Sequence, residues 1–255
     1  MNNKRFLQPL VEHLLLYVGL YQTLAYVSTC KEYRKERKWL IGQHAVVAHK
    51  VAEQFGGGIS IKYRSATVQC IDQLETLPSM LTHLTFCAEF NWPLDNVKMP
   101  STLIYLTFGV CFNRSLDNVT LPPKLKHLKF GYYFNQSLDN VTLPPKLTHL
   151  KFGDGFNRLL DNVTLPPTLT HLTFGYWFNQ LLDNVTLPPM LTHLTFDVFY
   201  SQLLDNVTLP PTLTHLTFGY FFNQPLDNVT LPSTLKHLTL SEQYNRSLDC
   251  LPSHV

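Results

Sequence analysis

Residues 165–186 read LPPTLTHLTFGYWFNQLLDNVT. The same frame returns in blocks that begin at Leu77, Met99, Leu121, Leu143, Leu165, Leu187, Leu209 and Leu231. The eight starts are separated by equal intervals of 22 residues, and the last copy is two residues short. A unit of this size cannot close a core of its own. It is stabilised by burying its apolar edge against the next copy, so the period predicts a stacked solenoid. Within the quoted block Leu165, Leu169, Leu172, Phe174, Phe178, Leu182 and Val185 recur in every neighbour with little change. Leu172 and Phe174 alternate with His171 and Thr173, the period-two pattern of a strand. Pro166 and Pro167 rule out a helix across that corner, and Asn179 to Thr186 is too short for a regular one. Each coil therefore offers one short strand, and equivalent strands must run parallel. At ~4.8 Å per strand, eight coils span roughly 38 Å.

The polar columns are as regular as the apolar ones. Asn91, Asn113, Asn135, Asn157, Asn179, Asn223 and Asn245 hold one phase. A buried amide must be hydrogen-bonded and can both donate and accept, so this column is expected to bond the backbone of adjacent turns. Asn118, Asn140, Asn162, Asn184, Asn206 and Asn228 each begin an Asn-Val-Thr triplet, the glycosylation signature. The triplets read as a by-product of repetition, and Asp117-Asn118 and its equivalents as turns.

The unit Leu-Pro-x-x-Leu-x-x-Leu-x-Phe-Gly-x-x-Phe-Asn resembles the FNIP repeat, known mainly from social amoebae and giant DNA viruses, over about 175 residues. FNIP repeats resemble leucine-rich repeats. The resemblance implies a right-handed solenoid, mainly β, with its parallel sheet on the concave side. This chain departs from the family name, because Leu-Asp or its neighbours follow Phe-Asn, and only Trp92-Pro93 and Gln224-Pro225 keep a proline nearby. The sixth coil departs too: Asp197, Tyr200 and Ser201 replace Gly, Phe and Asn. That puts its turn and its link in the Asn ladder in question.

Three regions are expected: a helical unit over 1–45, a connector over 46–76, and eight repeats over 77–255. In the first, Pro9, Leu10, Leu14, Val18, Leu24 and Val27 look like a degenerate F-box, which implies docking on the Skp adaptor of a cullin-type ubiquitin ligase. Pro9 can start a helix, and Leu10, Leu14 and Val18 fall on one face of it. The same segment also reads as a cap over an open solenoid end, and one unit can do both. In the connector, Gly56-Gly57-Gly58 is a break rather than a phosphate loop, since no GxxxxGK[ST] follows. Ile59 to Ile71 reads as one or two irregular strands, a degenerate first coil.

His83, His127, His149, His171, His193, His215 and His237 share a phase, with Tyr105 at the gap. They alternate with inward Leu and Phe, so they should point outward at roughly 5 Å spacing. Metal binding is one reading of such a row. The plainer one is a duplicated polar column, because a straight row gives poor tetrahedral geometry and no carboxylate second shell. No metal or cofactor is expected. Crowded imidazoles resist simultaneous protonation, so acidification below about pH 6 is expected to weaken the repeats. The Asp column from Asp95 to Asp249 is periodic, whereas active sites need one-off constellations, and no enzyme activity is expected.

Binding is easier to place. After the repeated Gly come Tyr132-Tyr133, Asp154-Gly155, Tyr176-Trp177 and Tyr220-Phe221, with Val198-Phe199 in the sixth coil. Aromatics at a solvent edge anchor partners. The predicted partner face is Tyr132, Tyr133, Tyr176, Trp177, Phe199, Tyr220 and Phe221, with His149, His171, His193 and His215 on the floor beside them. The alternative is that half of the aromatics pack onto the neighbouring coil. The reading is a protein-interaction scaffold, a ligase adaptor if the F-box resemblance holds. The other functions weighed are a plain scaffold with a cap, and a secreted carbohydrate-binding repeat.

The whole-chain numbers agree. The 255 residues are 45% hydrophobic and carry a formal charge of only +2, so there is no polyelectrolyte case for nucleic acid. Residues 77–255 hold ten Lys/Arg against twelve Asp/Glu. Five cysteines without CxxC spacing read as free thiols of a reducing compartment. The apolar run from Leu14 to Val27 resembles a leader, but Pro9, Glu12, His13, Gln22 and Thr23 interrupt it, and a charged block from Lys31 to Lys38 follows. It is also shorter than the ~20 apolar residues of a spanning helix. A monomer in the cytoplasm, the host's if the source is viral, is the expectation, with no membrane partner.

Overall fold

The computed structural model of the chain describes residues 65–249 and 251. The expected helical unit, with Pro9, Leu10, Leu14, Val18, Leu24 and Val27, lies outside the described residues. The described part is a single nine-stranded parallel sheet in which strand order follows chain order. β1 is Ser65–Val68, followed by a short 3-10 helix, Ile71–Thr76. The repeats then supply β2 (His83–Phe86), β3 (Tyr105–Thr107), β4 (His127–Lys129), β5 (His149–Lys151), β6 (His171–Thr173), β7 (His193–Thr195), β8 (His215–Thr217) and β9 (His237–Thr239). The 3-10 helix is the one helical element among the described residues. Register is constant: His127 pairs with His149, Leu128 with Leu150, and so on along the sheet.

One coil explains the rest. In residues 165–186 the chain reverses direction by three tight turns. Leu169 N–H donates to the Pro166 carbonyl at 3.0 Å, Phe178 N–H to Gly175 at 3.2 Å, and Val185 N–H to Leu182 at 2.9 Å. The last of these is the Asp-Asn turn read from sequence. Between them the backbone bonds its neighbours: Thr170 N–H to the Thr148 carbonyl, and Trp177 N–H to that of Asp154, both at 2.9 Å. Almost no regular helix is needed, because each corner hands its backbone groups to the next coil.

Inside, the Leu and Phe columns are sealed. Leu169, Leu172, Phe174, Phe178 and Leu182 are all at most 1% exposed. Two files of phenylalanine run along the axis. Phe152 and Phe174 stack at 5.5 Å, Phe156 and Phe178 at 6.1 Å, and Phe174 meets Phe178 of its own coil at 3.9 Å. Offset stacking adds about 0.5–1.5 kcal/mol per pair beyond area burial, and here each ring is shared by two neighbours.

The repeated glycine has a steric cause. A Cβ built on Gly153 would lie 1.7 Å from the Gly131 carbonyl oxygen. With the backbone held as it is at Gly153, a side chain has no room between the two coils. The sixth coil nevertheless keeps this turn with Asp197 at the same phase. Tyr200 N–H donates to the Asp197 carbonyl at 3.3 Å, and the Asp197 carboxylate accepts from Val198 N–H at 2.8 Å.

The asparagine ladder forms as the column predicts. Asn135, Asn157 and Asn179 each donate their backbone N–H to the side-chain oxygen of the asparagine one coil earlier, at 2.9–3.0 Å. Gln136, Gln180 and Gln202 add a second donor to the side-chain oxygens of Asn113, Asn157 and Asn179. Ser201 receives the ladder normally, through its N–H to Asn179 at 3.0 Å. It passes the ladder on differently: Gln224 donates its amide to the Ser201 carbonyl at 2.8 Å. The doubt over the sixth coil therefore resolves into one altered rung. Cys70, Cys87 and Cys111 are free thiols.

Candidate partner-binding face

β3 to β8 are each three residues long with the middle leucine buried, so the residues on either side of it face outward. That places His127, His149, His171, His193, His215 and His237 in one row, and from His149 to His215 the rings stack face to face. Centroids from His149 through His215 are 4.1–4.2 Å apart, with interplanar angles of 9–11°. Tyr105 fills the gap between His83 and His127 at 4.2 and 4.1 Å. Sequence periodicity gave the row and its spacing but not the stacking, which leaves His127 through His215 half-buried.

The stack has a defined proton arrangement in coils 4 to 7. The hydroxyls of Thr148, Thr170, Thr192 and Thr214 donate to the backbone carbonyl one coil earlier, at 3.0–3.1 Å. Each hydroxyl also lies 2.8–2.9 Å from Nδ1 of the histidine that follows it. A hydroxyl has one hydrogen, already given to the carbonyl. The imidazole must then donate from Nδ1, so Nε2 carries the lone pair. Burial lowers the pKa of His127, His149, His171 and His193, and neighbouring histidines lower it further; Lys126 adds to this at His127. His149, His171 and His193 are therefore neutral at ordinary pH and offer parallel Nε2 acceptors. Parallel lone pairs do not converge on one ion, and among the described residues no group of three His, Cys, Asp or Glu is placed to hold a metal.

The aromatics sit in the turn that follows each strand. In coils 5 to 7 they form one ledge. Trp177 stacks on Phe199 at 4.5 Å and 7°, and Phe199 on Phe221 at 4.9 Å. Tyr176 meets both Trp177 and Phe199 edge-on at 5.1 Å, and Tyr220 meets Phe221 at 5.0 Å. Trp177 and Phe221 remain 48% exposed and Tyr220 49%. These residues pack coil to coil and still present an apolar surface. Tyr132 and Tyr133 of coil 3 pair with each other at 4.8 Å, but Asp154-Gly155 separates them in sequence from the ledge.

One column entered the sequence reading only as part of a common His/Thr/Lys floor. The outward position two residues after each histidine is Thr in every coil except coils 3 and 4, where it is Lys129 and Lys151. Comparing the copies column by column, rather than seeking their common frame, would have found it.

Five stretches, 73–111, 112–155, 134–177, 178–221 and 222–255, match the FNIP Repeat family model. Among solved structures the chain is similar to CroV588, described as a novel circular LRR protein structure, with a TM-score of 0.60 and 43% identity. That match covers 67% of this chain and 28% of the other, so this chain spans under a third of the length of that relative. YopM from Yersinia enterocolitica WA-314 matches at 20% identity over 64% of this chain and 46% of its own, with a TM-score of 0.27, too low to carry an argument. No curated protein matches the chain. The described part is a leucine-rich-repeat-like parallel β-solenoid and a repeat scaffold.

Proposed function

This chain belongs to the FNIP repeat family, and from that premise we propose that it is a non-catalytic protein-interaction scaffold whose docking face is the aromatic ledge of coils 5 to 7. The observation that carries the reading is the contrast within those coils. Phe174, Phe178, Phe196, Phe218 and Phe222 are at most 3% exposed, while Trp177 and Phe221 are left 48% exposed in a continuous stack. Aromatic rings presented in this way, already immobilised by their neighbours, lose little freedom on binding and serve as anchors.

The finer reading is a substrate receptor of a cullin-type ubiquitin ligase, with residues 1–45 holding a Skp-type adaptor and the ledge holding the target. What supports it is the F-box-like sequence of that segment. A monomer in the cytoplasm goes with this reading, and the free thiols of Cys70, Cys87 and Cys111 are compatible with it.

Two experiments test the proposal. A photo-reactive phenylalanine analogue placed at Trp177 in the full chain should yield a discrete protein adduct in cells. The same probe at Leu159, 50% exposed on a different turn, should not. Identical adducts from both positions, or none from either, would overturn the ledge as the docking face. Co-purification of the Skp-type adaptor with the full chain, lost when residues 1–45 are removed, supports the ligase role; absence of binding by either chain removes it.

A further inference from the structure

The charge on the strand face is confined. Five of the seven lysines of residues 77–255 stand in coils 3 and 4: Lys124, Lys126, Lys129, Lys146 and Lys151. Coils 5 to 7 carry no Lys or Arg at all. All five are exposed. Lys129 and Lys151 occupy paired register positions on β4 and β5, which sets their backbones ~4.8 Å apart on the same face. Lys126 and Lys129 flank His127 on one coil, and Lys151 follows His149 on the next. Among the described residues none of the five is ion-paired. The acids of these coils, Asp139, Asp154 and Asp161, stand in the turns beyond the strands.

Like charges directly opposite each other on adjacent strands are destabilising. The same scaffold has a ready solution in its other copies, which place Thr173, Thr195 and Thr217 at the position of Lys129 and Lys151. Thr148, Thr170, Thr192 and Thr214 likewise stand at the position of Lys126. A local departure that costs stability and serves no packing purpose marks a functional position. The chemistry that relieves it is negative charge from outside the chain.

We propose that Lys126, Lys129 and Lys151, with His127 and His149 between them, form a docking strip for a short acidic peptide segment of a protein partner. The inference rests on the interaction-scaffold reading and names the partner's chemistry at a second position on the same solenoid. A peptide fits the strip better than a nucleic acid does. Two coils give a track only ~5 Å across the strands, and the twelve acids of the repeats against ten basic residues leave no continuous positive path for a phosphate backbone.

The test uses the full chain and a fluorescein-labelled decapeptide of alternating Asp and Glu, read by fluorescence anisotropy. Binding is expected, weakening as salt rises from about 50 to about 200 mM. The triple variant K126T/K129T/K151T, which gives coils 3 and 4 the residues of coils 5 to 7, should keep its circular dichroism and lose about ten-fold or more in affinity, the scale of three screened charge pairs acting together. K129Q/K151Q, which retains long side chains, should lose affinity as well. No binding by the wild type, or undiminished binding by both variants, overturns the proposal. So does tighter binding of a single-stranded oligonucleotide of equal charge, which would make the strip a nucleic-acid site. Failure of the peptide together with a successful cross-link at Trp177 sinks this inference alone; failure of both sinks the scaffold reading with it.

Discussion

Tyr200 should be replaceable by phenylalanine with a gain in stability. Its ring takes the place of a column phenylalanine, 3.8 Å from Phe196 and stacked at 6.0 and 6.3 Å on Phe178 and Phe222. The side chain is fully buried, and its hydroxyl has no hydrogen-bond partner. Burial, with the Asp183 carboxylate adding to it, pushes the phenol far above its ordinary pKa, so it stays protonated throughout the accessible range. A buried hydroxyl without a partner costs about 1–3 kcal/mol. Removing one oxygen leaves a void of roughly 10 Å³, worth only ~0.2 kcal/mol at about 24 cal/mol per Å³. Tyr200→Phe is therefore expected to add about 1–2 kcal/mol, or roughly 2–8 °C in Tm for a domain of this size. Urea and thermal unfolding of the two proteins measure it. A variant less stable than wild type would refute the reasoning, because it would mean that the hydroxyl has found a partner worth more than its desolvation.

Three further outcomes follow from the coil geometry. Gly153→Ala puts a Cβ 1.7 Å from a carbonyl oxygen, whereas Gly155→Ala meets one at 2.7 Å. The first should cost about 3 kcal/mol or more and the second roughly 1 kcal/mol in urea titrations, and equal costs would contradict the close-approach account. Asn113→Ala removes the acceptor of both the Asn135 N–H and the Gln136 amide; a loss of about 1–3 kcal/mol is expected, and a neutral result would mean that water replaces the rung at no cost. The histidine pKa values are lowered on folding, first by burial and then by like neighbours. The neutral form is thus favoured in the folded state, and its stability is complete above the ordinary value of 6.5 and lost as pH falls through the lowered ones. The charged groups that share this face, Lys126, Lys129, Lys151 and Lys236, are all positive and act in the same direction. Melting temperature should fall between about pH 6.5 and pH 5, and His171→Thr combined with His193→Thr should flatten the slope; a pH-independent midpoint in the wild type would count against the stacked neutral row.

What could be read from sequence was whatever the repeat copies faithfully. The period, the sealed Leu and Phe columns, the strand at His171–Thr173, the Asp-Asn turn and the asparagine ladder each follow from one residue type at one phase under one physical demand. The stacked imidazoles were harder to see. Spacing placed them side by side, but ring orientation depends on the preceding threonine holding Nδ1, a contact made possible only by the carbonyl of another coil. The reason for the glycine was hidden for the same cause: a carbonyl 22 residues away fills the space, and no local turn requirement shows it. The replacement of that glycine by Asp197 read as damage, yet the turn closes around the carboxylate. Lys129 and Lys151 were read only as part of a His/Thr/Lys floor, because averaging the copies suppresses the positions that differ.

From coil 2 to coil 6 each coil is fastened to the next by the same short set of backbone bonds, one asparagine rung and two stacked rings. Under tension applied at its ends, such a molecule yields coil by coil, and only the junction of coils 6 and 7, where Ser201 replaces the asparagine rung, departs from the common set. It should come apart from an end in equal steps, each freeing one coil of 22 residues and so lengthening the tether by roughly 70 Å. Pulled in this way, the solenoid would extend with a fixed stroke, yielding one turn while the rest keeps its grip.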